Sequence, residues 1–276
     1  MFPIRIEIIP SAGIVEQVQS MVPLTTTLTM TCLPHHSVEG TMRASVELSM
    51  LGYNVIPHLA ARSVQSRSQL TGILRDCDMA GIGEVFVIGG DRKEAAGPYD
   101  SALPLLEDIA QYTGGLMRAG VAGYPEGHPS VTALDLVDAL VAKQHLAAHI
   151  VTQMCFSAPK ILDYAALMRR EGLDLPLWAG VAGPVQRTRL VNLAAQIGVG
   201  SSLKFLSRKG PLARKLLSRD RYSPSTLMAG LEGQPGIAGI HLYSFNNLDA
   251  VPNEAGPASS PTALQPASIR GAAREH

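Results

Sequence analysis

The chain has 276 residues, with 23 basic and 23 acidic side chains, so its formal net charge is zero; hydrophobic residues make up 46% and charged residues 17%. That balance excludes a disordered chain, which needs low hydrophobicity and a large net charge, and a strongly cationic nucleic-acid binder. The length suits one large α/β domain or two small ones.

Short apolar, β-branched runs read as strands and 3.6-residue stripes as helices. The first strand is Ile4–Ile9. Leu24–Met30, a Thr/Leu alternation, is the second, and residues 38–51 follow as a helix with an irregular stripe. Asn54–Ile56 is the third strand. Leu70, Ile73, Leu74, Cys77 and Ala80 then form one apolar stripe. Strand Glu84–Ile88 precedes the stripe Ala102, Leu103, Leu106, Ile109 and Ala110. Strand Arg118–Ala122 precedes Leu134, Val137, Leu140 and Val141. Strand His149–Gln153 precedes Ile161, Tyr164, Ala165 and Met168, and Leu175–Gly180 precedes Leu190, Leu193, Ala194 and Ile197. A further helical region between Val199 and Leu231 carries a basic run over 204–221. It reads as a solvated helix face, with an anion-binding rim as the alternative. The last strand is Ile237–Tyr243.

Eight strands alternating with helices predict parallel pairing and a single (β/α)8 TIM barrel over residues 1–250. The rival, a doubly wound sheet, usually carries GxGxxG after a strand; the nearest string here is Gly198-Val-Gly-Ser-Ser. Residues 251–276, rich in Pro, Ala and Ser, read as a disordered tail. Three well-separated cysteines, Cys32, Cys77 and Cys155, point to a reducing cytoplasm. The N-terminus is interrupted by Arg5 and Glu7 and does not read as a signal peptide; no run of 18 apolar residues reads as a membrane span. Neither nucleic acid nor membrane is an expected partner, and nothing in the sequence sets an oligomeric state.

Barrel chemistry gathers at the C-terminal strand ends. Glu7 lies in the first strand. Thr31, Cys32, His35 and His36 follow the second, and Pro57-His58 ends the third. Gly89-Gly90-Asp91 ends the fourth, Gly123 to Pro129 the fifth, Thr152-Gln153 the sixth, Gly180 to Pro184 the seventh and His241 to Asn246 the last. These groups are predicted to converge on one pocket for a polar, planar ligand. Glu7 in a closed barrel needs a hydrogen-bonding partner or a function. Asp91 also reads as a helix cap, His58 as a core histidine and His128 as a turn stabiliser. Adjacent His35 and His36 point to opposite faces and pair poorly as metal ligands, so no metal is expected. No G-x-S-x-G elbow supports a serine hydrolase.

Glu7, Pro57-His58-Leu59, Gly90-Asp91, Ala122-Gly-Tyr-Pro-Glu-Gly-His-Pro129, Thr152-Gln153 and His241-Leu-Tyr-Ser-Phe-Asn246 resemble, in order and spacing, the methylenetetrahydrofolate reductase family over residues 4–247. The resemblance implies a (β/α)8 barrel that reduces 5,10-methylenetetrahydrofolate to 5-methyltetrahydrofolate with NAD(P)H and usually FAD, in one-carbon metabolism and methionine biosynthesis. It implies Glu7 as general acid, and Asp91 as the carboxylate that steadies the cationic intermediate and touches the pterin. Gln153 and Tyr243 would contact substrate. Thr31, His58, Gly90, Asp91, Tyr124, His128 and Lys143 would surround the cofactor. The chain departs from the family where an arginine before Gly90-Asp91 is replaced by Gly89, and where an asparagine and an arginine before Lys143 are replaced by Ala139 and Ala142. Asn247 stands where a folate-facing arginine is expected. Losing such charge-assisted contacts weakens dinucleotide binding, so hydride transfer directly from NAD(P)H is expected here. A flavin oxidoreductase on another substrate and a non-catalytic folate-binding accessory subunit are the alternatives.

Overall fold

A computed structural model describes residues 3–33, 37–186, 190 and 221–250. Eight parallel strands close into one barrel: β1 (Ile4–Ile8), β2 (Thr27–Met30), β3 (Asn54–Ala60), β4 (Glu84–Ile88), β5 (Arg118–Gly123), β6 (His149–Thr152), β7 (Leu177–Ala182) and β10 (Ile237–Tyr243). The seam is the ladder between β1 and β10, which pairs Arg5 with His241 and Glu7 with Tyr243. A small antiparallel pair, β8 (Val185–Gln186) and β9 (Arg221–Tyr222), was not foreseen and falls in the chain between β7 and β10.

Around the strands run α1 (Ile14–Met21), α2 (Val38–Met50), α3 (Arg67–Met79), α4 (Ala102–Thr113), α5 (Ala133–Lys143), α6 (Ala158–Arg170) and α7 (Ser225–Leu231). Ser37, Ser66 and Thr132 cap α2, α3 and α5, each accepting a backbone N–H three residues on. Such caps satisfy donors that the first helical turn leaves free. The stripes expected on α3 and α6 are the buried ones: Leu70, Ile73, Leu74 and Cys77, and Ile161, Tyr164, Ala165 and Met168. The α5 stripe is corrected. Only Leu140 is buried, while Leu134 is 70% and Val141 39% exposed, so periodicity overstated that helix's contact with the sheet.

The chain's alternation sorts side chains into two compartments. On β4, Val85 and Val87 join the large core between sheet and helices, whereas Phe86 joins Ile56, Val151 and Trp178 in a separate cluster that fills the barrel interior. Three strands differ from expectation by two residues or more at an end. β2 starts at Thr27 because Pro23 and Thr26 make a turn that leaves Leu24 57% exposed. β3 runs through Pro57 to Ala60. Pro57 is the last residue paired to β2, and pairing to β4 begins at His58, so the missing N–H falls between two ladders. β7 is shifted to Leu177–Ala182, and α1 had not been expected as a helix. His35, His36, the stripe residues Leu193, Ala194 and Ile197, the run 204–220 and the tail 251–276 lie outside the described residues.

Candidate active site

Within a strand of a closed barrel, every second side chain faces the interior. Arg5 and Glu7 therefore share the inner face of β1, and His241 and Tyr243 that of β10. Glu7, 13% exposed, places Oε2 2.9 Å from His241 Nε2 and 3.9 Å from His58 Nε2. His58 and His241 are buried, their ring centroids 6.0 Å apart, and Phe86 sits edge-on against His58 at 4.7 Å. Withdrawal from water pushes the Glu7 carboxyl up to about 7, with His58 acting in the opposite direction. The same loss of water lowers His58 to about 4, against the pull of Glu7, and lowers His241 to about 3, assisted by the Arg5 charge. At neutral pH both imidazoles are uncharged, and Glu7 is poised to gain or lose a proton.

Tyr243 donates its hydroxyl to the Thr152 carbonyl at 3.1 Å. Its phenol is raised well above the usual range by burial, then by Glu7 and Tyr124. Tyr124 is raised by burial and by the Asp91 charge. Asp91, Tyr124, Tyr243 and Glu7 thus form a chain of groups that feel one another across the barrel's C-terminal end. Asp91 itself is exposed and follows Gly90. Gly90 has a φ of +86, and a Cβ added to it would come within 3.0 Å of the Ala60 Cβ, so the position suits glycine. Ser101, not Asp91, is the residue that precedes α4, which removes the capping reading of Asp91.

The remaining expected residues are placed as follows. Thr31 is buried just beyond β2 with its hydroxyl unpartnered. His128 is exposed, edge-on to Tyr124 at 5.3 Å, and its Nδ1 accepts from Ser130 N, consistent with a turn role as well. Gln153 turns its Oε1 back to Met154 N at 2.9 Å. Lys143 lies half-buried in the last turn of α5, lowered by burial. Helices return antiparallel to the strands, so this is the end of α5 directed away from the strand C-termini. The structure therefore brings together Glu7, His58, Tyr124, Tyr243 and Asp91, and leaves Lys143 apart.

Two residues were expected at the pocket only as part of the last strand's end, with no role of their own. His241 is Glu7's closest polar partner, and its place two residues before Tyr243 on the same strand face would have revealed it. Asn246 clamps the end of β1: its Oδ1 accepts from Ile9 N at 2.8 Å and its Nδ2 donates to Ile9 O at 3.0 Å. It does so from φ 59, an αL conformation that asparagine tolerates. Ser244 adds a hydrogen bond to the Glu7 carbonyl.

Among the described residues, the buried polar side-chain atoms without a partner are Arg5 Nε, Thr29 Oγ1, Thr31 Oγ1, His58 Nε2, His149 Nδ1 and His241 Nδ1. All lie on or just beyond barrel strands. Native proteins pair nearly all such atoms, so a cluster of exceptions marks a place for a polar ligand or water. Glu7, His58 and His241 also have ligand-type atoms within 4.8 Å of one another. Glu7 and His241 are at hydrogen-bond distance, and His241 Nδ1 has no second partner of the kind that orients a metal-bound imidazole. A cavity of about 1050 Å³ lies elsewhere, outside the barrel between α1, α2 and α3, lined by Val15, Met42, Met50 and Met79.

At the positions where flavin contacts were expected, the structure offers little to a dinucleotide. Ala139 and Ala142 are exposed methyl groups, and a Cβ at Gly89 would meet nothing within 4 Å. These described positions supply no charge-assisted contact to a pyrophosphate, and so do not fit a flavin dinucleotide held in that way.

The chain matches the family model described as methylenetetrahydrofolate reductase over residues 16–253; β1, with Glu7, precedes the matched span. It is 27% identical over 176 residues to methylenetetrahydrofolate reductase 2 of Saccharomyces cerevisiae, covering 59% of this chain and 29% of the yeast protein. Among solved structures, it resembles oxaloacetate acetylhydrolase with a TM-score of 0.50 at 11% identity, over 66% of this chain and 67% of that one. It also resembles 2,3-dimethylmalate lyase with a TM-score of 0.49 at 10% identity, over 84% and 88%. At such identities the first likeness speaks to the fold alone, and the second adds no argument. No helix among the described residues is long and apolar enough to cross a membrane.

Proposed function

We propose, from the premise that the chain belongs to the methylenetetrahydrofolate reductase family, that it reduces 5,10-methylenetetrahydrofolate to 5-methyltetrahydrofolate with hydride taken directly from NAD(P)H. Glu7 carries this reading: a carboxyl largely withdrawn from water, raised to about 7, and hydrogen-bonded to an uncharged imidazole. A carboxylic acid that keeps its proton near neutrality can act as a general acid.

In this mechanism Glu7 protonates the bridging amine of the folate's five-membered ring. The C–N bond breaks and its electron pair goes to that nitrogen, leaving an iminium at the other. The Asp91 carboxylate steadies the cation as it develops. Hydride then adds to the iminium carbon and completes the methyl group, NAD(P)H becomes NAD(P)+, and Glu7 regains its proton from solvent. Tyr243 and Gln153 line the substrate's position. In relatives that hold FAD, the flavin relays the hydride; no step here depends on it, because Gly89, Ala139 and Ala142 lack the contacts described above.

The test is NAD(P)H oxidation with methylenetetrahydrofolate, with and without added FAD, together with the visible absorbance of the purified protein. Turnover without flavin is the expected result. A tightly held stoichiometric flavin, or turnover only with FAD, overturns the direct route. Folate binding without turnover overturns the enzyme and leaves an accessory binding role.

A further inference from the structure

Beneath the acid lies a second constellation that the reaction just described does not use. Arg5, two residues before Glu7 on the same face of β1, is 6% exposed. Its Nη1 donates to Glu84 Oε1 at 2.8 Å and approaches His149 Nε2 at 3.0 Å. Its guanidinium carbon lies 3.9 Å from the centroid of a Trp178 ring. Arg118 Nε donates to the other Glu84 oxygen at 3.2 Å. A guanidinium only donates, so His149 accepts at Nε2 and carries its proton on Nδ1. Room for this ring is left by Gly120, where a Cβ would come within 2.4 Å of His149 Nε2. Contacts from β4, β6 and β7 thus hold one cation in place, with two guanidinium groups sharing one carboxylate.

Arg5 is also the cross-strand partner of His241 in the β1–β10 ladder. His241 in turn meets Glu7 at 2.9 Å. A hydrogen-bonded carboxyl–imidazole pair can hold its proton on either side. As a neutral acid beside a neutral imidazole, the pair can protonate a substrate. As a carboxylate beside an imidazolium, it has spent that proton. A fixed cation on the imidazole's side opposes the second arrangement.

We propose that Arg5 is a positioning residue for the acid, its immobilised cation keeping the proton of the Glu7–His241 pair on the carboxyl. The inference rests on the reading of Glu7 as the acid. The charged and titratable groups around the pair are Arg5 from β1, His58 from β3, Glu84 from β4, Arg118 from β5, His149 from β6 and Tyr243 from β10, with Tyr124 beyond β5. Of these, Arg5 is the one whose charge, after burial, lowers His241. Glu84 does not cancel it, being itself bonded to two guanidinium groups.

The experiment is ¹⁵N NMR of the histidine rings in the full-length protein, titrated between about pH 4 and pH 7, with His241 assigned by its loss in His241→Gln. In the wild type, His241 is expected neutral at the upper end of this range. Arg5→Met should raise the His241 cation fraction at a given pH about tenfold, the factor that one pKa unit represents, and lower kcat more than it changes KM. Arg5→Lys should restore both. Arg5→Met/Glu84→Gln, which removes the cation with its main anion, answers the question if the single variant does not fold. A wild-type His241 that is cationic near neutrality, or an unmoved His241 titration in the folded Arg5 variant, overturns the proposal. Absence of folate turnover in the wild type refutes the enzyme reading instead, and the NMR result still judges the placement of charge.

Discussion

Glu7 Oε2 and His241 Nε2 lie 2.9 Å apart although their residues are separated by 234 positions in the chain. They meet across the β1–β10 seam, so the pair exists only once the first and last strands of the barrel have closed on each other. A carboxyl raised by burial and an imidazole lowered by it thus meet where closure is completed, and Asn246 and Ser244, just past β10, tie down the end of β1 beside them.

Replacing Glu7 by glutamine keeps the shape and removes the proton. Turnover of methylenetetrahydrofolate is expected to fall by about 10²–10⁴-fold, the range general acid catalysis contributes. Folate binding, read by titration, should change little. Near-normal turnover would remove Glu7 from the mechanism.

The rate should decline with rising pH as Glu7 loses its proton, with a midpoint near its raised value of about 7. The measurement is kcat against pH under substrate saturation. A rate that stays flat through neutrality would mean that this carboxyl is not the proton donor.

Stability should respond to pH through the same trio. Glu7 is raised from 4.5 to about 7, so its contribution is full below 4.5 and is lost as pH rises through 7. His58 and His241 are lowered from 6.5 to about 4 and about 3, so theirs is full above 6.5 and is lost on acidification through those values. Two imidazoles oppose one carboxyl, so the net expectation is a falling unfolding midpoint as pH drops from 6.5 towards 4. Thermal melts of the wild type and His241→Gln should show the variant less sensitive to acid; equal sensitivity would contradict the assignment.

Gly180 should tolerate no side chain. An added Cβ would lie 2.1 Å from the Thr152 carbonyl oxygen and 3.0 Å from Tyr243 Cε2. Gly180→Ala is expected to cost about 1–3 kcal/mol or more, as overpacked sites do, and to raise KM by displacing the Tyr243 ring. Denaturant unfolding and steady-state kinetics check the two effects separately.

Asp91→Asn tests the other carboxyl. It removes the negative charge meant for the developing cation while keeping the size, and should lower kcat by about 10²-fold, in line with loss of one electrostatic stabiliser. Because Asp91 is exposed, the stability to unfolding should stay within about 0.5 kcal/mol of the wild type.

Much of the barrel was legible in one dimension, because local patterns carry it. β4 and β10 have the limits that their apolar runs suggest, and the buried faces of α3 and α6 are the stripes read from a 3.6-residue period. The facing of Glu7, His58 and Tyr243 follows from alternation along single strands. The continuation of β3 through Pro57 to Ala60 was not legible, since the cost of a missing N–H depends on which neighbouring ladder needs it. The exposure of α5 was hidden for the same kind of reason: a stripe says which face could be buried and not how much covers it. The pairing of Glu7 with His241, and of Arg5 with Glu84 and His149, had no local trace. Those contacts depend on how far each strand slides past its neighbour when the sheet closes. That stagger belongs to all eight strands together, and it alone sets which inward side chains lie within reach of a proton.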